Sequence, residues 1–245
     1  MSSLKMIILS RRKPGMTKSE AQDYLYKVHG PLTKSPNPSE DPSKYSQFFF
    51  SDSASHSELD CHQSGWDLGG ELYFESEEHL VRVLTSAWFQ EKISPDNENF
   101  SKKNATQLYV AREKIIFGHE DIIDSSSTPD EAQTLAMYVI EAHSSGPGPD
   151  QIAEDFAATL RLDAADRVRA LYLNIPLELS GAASGYKKKL APGPLILGVY
   201  LEGPQAIPAF RAAQGRFERS FSHYLDIEKC QTIVGFRAII YKKTV

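Results

Sequence analysis

Cysteine is nearly absent. Cys61 and Cys230 are the two in 245 residues, and neither sits in a CxxC pair. That excludes a disulfide framework and a thiolate zinc site. Long apolar runs are missing too: the stretch Leu195 to Leu201 is broken by Gly198 and falls far short of the ~20 residues a membrane span needs. Near the N-terminus, Met6 to Leu9 is shorter than the ~7 to 15 apolar residues of a secretory leader, so the expected location is cytoplasmic, with no membrane partner. Positive charge is not in excess, since 27 Lys+Arg face 32 Asp+Glu. The basic clusters Arg11-Arg12-Lys13 and Lys187-Lys188-Lys189 are too small to track a phosphate backbone, which argues against nucleic acid. A Gly-rich phosphate loop, a GxSxG elbow, a dinucleotide fingerprint and an HExxH pair are all lacking, so no cofactor and no metal is expected.

What is present reads as alternating short strands and amphipathic helices. Thr17-Lys18-Ser19-Glu20 has the spacing of a capping box and starts a helix. Its apolar face is Ala21, Tyr24, Leu25 and Val28, and Gly30-Pro31 is expected to stop it near His29. Strands are expected at Lys5 to Arg11, Tyr45 to Phe50, Gly70 to Glu75 and Gln107 to Phe117, and a second helix from Ser76 carries Leu80, Val81, Leu84, Ala87 and Trp88. The order is βαββαβ. After a Ser/Thr/Pro-rich linker the same order recurs, with strands from Gln133, Arg167, Leu195 and Thr232 and helices from Asp150 and Pro204. Lys5 and Gln133 start the two halves, Ser76 and Pro204 start their last helices, and the separation is the same in both cases. The chain is expected to be a duplication, with repeats over residues 1–120 and 131–245. The fold class is α+β: two ferredoxin-like repeats, each with helices on one sheet face, packing bare face to bare face into an intrachain barrel whose interior is filled or holds one small ligand.

The run Arg11-Arg12-Lys13-Pro14-Gly15-Met16-Thr17-Lys18-Ser19-Glu20, closed by Val28-His29-Gly30-Pro31-Leu32, resembles the EthD-like family of the dimeric α+β barrel superfamily. Gly70 to Phe74 and Ser94-Pro95-Asp96 through Phe100 look like its later landmarks, so the resemblance covers about residues 5 to 118. The second half carries no such motif and joins the superfamily by element order. Where the family helix commonly has a large aromatic pair, this chain has Ala21 and Leu25. The resemblance implies a barrel formed within one chain or by a homodimer. It also implies roles in the degradation of aromatic or ether compounds or in polyketide metabolism, where relatives are decarboxylases, dehydratases or cyclases.

Among candidate residues, His29 stands first, because a histidine at a helix end titrates near neutrality and can move protons; the alternative is that it caps the last turn. If Leu72 and Phe74 face the helices, then Glu71 and Tyr73 face the barrel interior as catalytic candidates, or as a structural pair satisfied by backbone or by Arg112. Phe48, Phe50, Tyr109 and Arg112 are candidate substrate contacts, with core packing the alternative for the two phenylalanines. His56, His62 and Asp67 lie in a long connection of the kind that covers active sites, or are plain loop residues. The expected function is cofactor-independent acid–base catalysis, a lyase or cyclase acting on an aromatic or polyketide-like small molecule. The alternatives are a non-catalytic metabolite-binding module and a monooxygenase.

Overall fold

The computed structural model describes residues 4–51, 65–123, 132–179 and 193–243. Eight strands close into one antiparallel barrel in the order β1-β3-β2-β8-β5-β7-β6-β4. They are β1 (Leu4–Arg12), β2 (Lys44–Phe50), β3 (Leu68–Phe74), β4 (Ser101–Phe117), β5 (Gln133–Ile140), β6 (Val168–Pro176), β7 (Leu195–Leu201) and β8 (Gln231–Lys242). The first four form one sheet, the last four another, and the seams are β2 against β8 and β4 against β6. Closure leaves neither sheet with a free edge. Helices cover the outside: α1 (Lys18–Tyr24), α2 (Glu77–Thr85) and α3 (Ser94–Phe100) over the first sheet, α4 (Pro149–Ala164) and α5 (Ile207–Phe221) over the second. No helix among the described residues is long and apolar enough to cross a membrane.

Strand alternation divides the core. Ile7, Leu9, Phe48, Phe50, Leu135, Met137, Tyr172, Ile196 and Ile233 fill the barrel interior. The opposite faces of the same strands meet the helices, through Met6, Leu72 and Val110 in the first half and Tyr138, Leu173 and Val199 in the second. Gly198 shows how tightly the interior is filled, because a Cβ there would lie 1.9 Å from the Tyr172 ring. The glycine makes room for that ring to cross the barrel.

The Thr17 capping box forms, with the Glu20 amide donating to the Thr17 side chain and the Thr17 amide to the Glu20 carboxylate. The expected stop at Gly30-Pro31 does not occur. From Leu25 to His29 the backbone takes a π-helical turn, and one more α turn runs through Gly30–Leu32. The wider turn holds one extra residue, so the buried face moves from Val28, which is 42% exposed, to His29, which is 6% exposed. Two other boundaries move. α2 ends at Thr85 with Ser86 as its cap, so Ala87 and Trp88 lie beyond it, and the Trp88 indole donates to Leu32 O at the end of the α1 extension. β4 begins at Ser101 rather than Gln107, after a register shift against β1.

Candidate active site

A cavity of about 700 Å³ lined by described residues lies outside the barrel interior. It lies in the layer between the first sheet and its helices. Met6, Ile8, Leu72 and Leu108 form the sheet side, and Leu84, Phe89 and Ile93 the helix side. His29, Tyr45 and Asn97 line both this space and a smaller one of about 40 Å³ beside it, and Lys102 and Lys103 stand on the lining of the larger cavity.

His29 is presented by the end of the π turn and held from α3. Its Nδ1 lies 2.9 Å from Asp96 Oδ2, and its ring leans on Phe100 with centroids 4.8 Å apart. Asp96 Oδ1 accepts from the Tyr24 hydroxyl at 2.8 Å and from Asn99 Nδ2 at 2.9 Å. Burial opposes ionisation of Asp96, but the bonds from Asn99, His29 and Tyr24 outweigh it and hold the carboxyl below its usual range. Burial lowers the proton affinity of His29, and Asp96 only partly offsets this. The consistent state near neutrality is an ionised Asp96 accepting from Nδ1–H of a neutral imidazole. The Nε2 lone pair is then left for chemistry. Capping is excluded as the ring's role, since its bond goes to a carboxylate and not to the last carbonyls. The ring lies in the layer between the first sheet and its helices, outside the barrel interior.

The helix carries this histidine at a particular cost. Gln47 Nε2 donates to Leu25 O at 2.7 Å, a carbonyl that also receives the Gly30 amide across the π turn. A Cβ on Gly30 would stand 3.0 Å from that amide nitrogen, so glycine lets β2 approach the turn closely.

Glu71 and Tyr73 do point into the barrel, as alternation predicts, but they do not meet His29. Glu71 Oε1 accepts from Lys5 Nζ at 2.5 Å and its Oε2 from Arg237 Nε at 3.2 Å, and all three side chains are fully buried. Lys5 also reaches Glu113 at 2.6 Å, and the Tyr73 hydroxyl lies 3.2 Å from both carboxylates. Burial alone would favour a neutral Glu71, yet Lys5 and Arg237 hold it ionised well below the usual range. Burial and the two carboxylates push Tyr73 far up, so it remains a phenol. This is a structural ion cluster that ties β1, β3, β4 and β8 together. Lys5 and Arg237 escaped the sequence reading, although Lys5 stands in register with Ile7 and Leu9 on an inward face.

The other candidates disperse. Phe48 and Phe50 stack at 5.8 Å inside the barrel and are core. Asp67 clamps the basic motif, accepting the Arg12 amide at 2.8 Å and the Arg12 guanidinium at 2.5 Å, with Lys18 at 3.6 Å. Tyr109 flanks the interior cluster and donates to Gln107; burial raises its pKa to about 12. Arg112 is not the partner of Glu71: it is exposed on the opposite face of β4, beside Glu75 and Glu77. His56 and His62 lie outside the described residues. Asp96 and Tyr45 were missed as site residues. The Ser94-Pro95-Asp96 landmark and the aromatic start of β2 were the signals for them.

A single polypeptide that supplies both sheets of a dimeric α+β barrel defines the class of protein. In its first half, residues 13–104 match the EthD domain. Over 118 residues it is 26% identical to the decarboxylase claH of Passalora fulva, which covers 43% of this chain and 72% of that protein. Among solved structures, an anthrone oxidase-like protein superposes with a TM-score of 0.62 at 10% identity, covering 100% of this chain and 95% of that one. A candidate monooxygenase from Fusobacterium nucleatum gives 0.54 at 11% identity, with 99% and 98% covered. A chlorite dismutase variant from Candidatus Nitrospira defluvii gives 0.52 at 9% identity, with 97% and 92% covered. Likeness at such low identity concerns the fold.

Proposed function

We propose that this chain is an acid–base enzyme of the lyase type that acts on an aromatic or polyketide-like small molecule, with decarboxylation the reaction the site fits best. The observation that carries this is His29, held by Asp96, on the wall of a cavity of about 700 Å³ that has an apolar floor and a polar rim. A space of that size with apolar walls and convergent polar groups is the ordinary form of a small-molecule site. The similarity to claH supports the choice of reaction.

The cavity's Met6, Leu72, Leu84 and Phe89 would bind a ring, and Lys102, beside the Lys103–Glu98 pair, would attract a carboxylate. In the reaction the bond from ring carbon to carboxylate breaks and its electron pair moves onto the carbon, conjugated with a neighbouring oxygen. CO2 leaves, and Nε2 of His29, having taken a proton from solvent, delivers it to that carbon. The net change is a carboxylate and a proton giving the ring with hydrogen in place of the carboxyl group, and CO2. Asp96 stabilises the imidazolium while it carries the proton, and burial makes that imidazolium a ready donor.

The test is incubation with a panel of ring-hydroxylated aromatic acids in D2O under anaerobic conditions. The expected result is CO2 release with one deuterium at the former carboxyl carbon, falling about 10²- to 10⁴-fold in His29→Gln. Turnover that consumes oxygen, or full activity in His29→Gln, would overturn the reading.

A further inference from the structure

Tyr45 sits in β2, buried, and lines both cavities beside His29. Its hydroxyl accepts a hydrogen bond from Gln47 Nε2 at 3.1 Å, from the same amide that holds Leu25 O of the π turn. One side chain therefore fixes both the helix turn that presents His29 and the phenol opposite. With a lone pair occupied by Gln47, the Tyr45 proton is free to be given to a ligand. Gly70 of β3 lies close to the ring, where a Cβ would come within 3.1 Å of it, so the glycine makes room for the phenol at the junction of the two spaces.

We infer that Tyr45 is the second catalytic residue of this site: its hydroxyl donates to the oxygen on which negative charge collects, while His29 handles the proton. The assignment rests on the lyase reading above. It requires a ligand bearing an ionisable enol or phenol, because a donor fixed by Gln47 has value only where an oxyanion forms. The groups facing the pair are Tyr24 from α1, Asp96 and Glu98 from α3, Lys102 and Lys103 from β4, and Tyr241 from β8, whose ring lies 6.0 Å from that of Tyr45. Burial keeps Tyr45 protonated across the working range of an enzyme, so it serves as a donor and never as a base.

The probe is 4-nitrophenol, whose neutral and ionised forms absorb at different wavelengths. Bound to the wild-type protein, it should ionise at a proton concentration at least about tenfold higher than in free solution. In Tyr45→Phe that shift should disappear, with binding of the neutral form and the melting temperature retained. In the same variant, turnover of an active acid should fall about 10- to 10³-fold with KM little changed. Failure to bind the probe, binding without a shift, or an equal shift in Tyr45→Phe would overturn the assignment. Loss of the shift in Tyr45→Phe, together with full turnover in His29→Gln, would keep the donor and sink the lyase reading instead.

Discussion

The two halves of the barrel share a strand order and differ in what lies between sheet and helix. In the second half that layer is solid: Tyr138, Phe156, Phe210 and Phe217 meet in tilted or edge-to-face contacts at 5.1 to 6.3 Å, and every one is buried. In the first half the same layer is hollow and carries a histidine and a phenol on its walls, with a carboxylate behind the histidine. Aromatic packing of this density contributes stability, and a cavity forfeits it. One half of the barrel is thus built as a support and the other as a vessel, with the barrel's ion cluster tying them together.

The strongest way to break this contrast is at His29. His29→Gln should lower turnover about 10²- to 10⁴-fold while thermal unfolding stays close to wild type, because the ring's bond lies at the edge of a cavity and not in a packed core. Equal losses in activity and melting temperature would show the ring to be structural.

Emptying the solid layer should do the reverse. Phe156→Ala removes a fully buried ring that touches three others, and a cost of about 3–5 kcal/mol in denaturant unfolding is expected, with turnover of the surviving folded protein unchanged. Glu71→Gln is a companion test, since it removes from the buried cluster the carboxylate that Lys5 shares with Glu113 and that Arg237 meets at 3.2 Å, and it should cost a similar ~3–5 kcal/mol. A Glu71 variant of normal stability and no activity would return that residue to the catalytic list.

Filling the hollow layer should be cheaper. Leu84→Phe places extra volume where space exists, so stability should change by less than about 1.5 kcal/mol, while binding of 4-nitrophenol weakens. The smallest effect belongs to Tyr24→Phe. Removing one donor from Asp96 leaves its charge less neutralised, so the His29 pKa should move up toward the ordinary value, as read by NMR of the ring protons. Stability against pH offers a check on sign. His29 and His79 are both held below the ordinary histidine range by burial, so the unfolded chain takes up protons first, and stability should fall as pH drops below about 6.5.

Much of this architecture was legible in the sequence because period and punctuation are local. The capping box at Thr17, the alternation of Glu71 with Leu72 and the recurrence of βαββαβ each depend on near neighbours. The site was legible in part. His29 could be named from its motif, but its partner Asp96 is brought to it by tertiary packing of α3 against α1, which no local pattern encodes. Glu71 was placed on the correct side of the sheet and given the wrong neighbour, because choosing Lys5 and Arg237 over Arg112 needs the register of three strands. The shift from Val28 to His29 was hidden because a π turn leaves no mark in residue type. Only the mismatch between an apolar Val28 and its exposure reveals it.

That turn has a genetic meaning. A π turn inside an α-helix is what a one-residue insertion leaves behind when the flanking turns are already fixed by their contacts, here by the Thr17 cap on one side and Trp88 on Leu32 on the other. Loss of one codon between Leu25 and Val28 would restore the ordinary helical pitch and rotate the histidine by about 100° relative to the helix's N-terminal part. A single in-frame deletion could therefore unmake the proton-transfer site while leaving the barrel standing, and a single insertion could create it in a relative that merely binds.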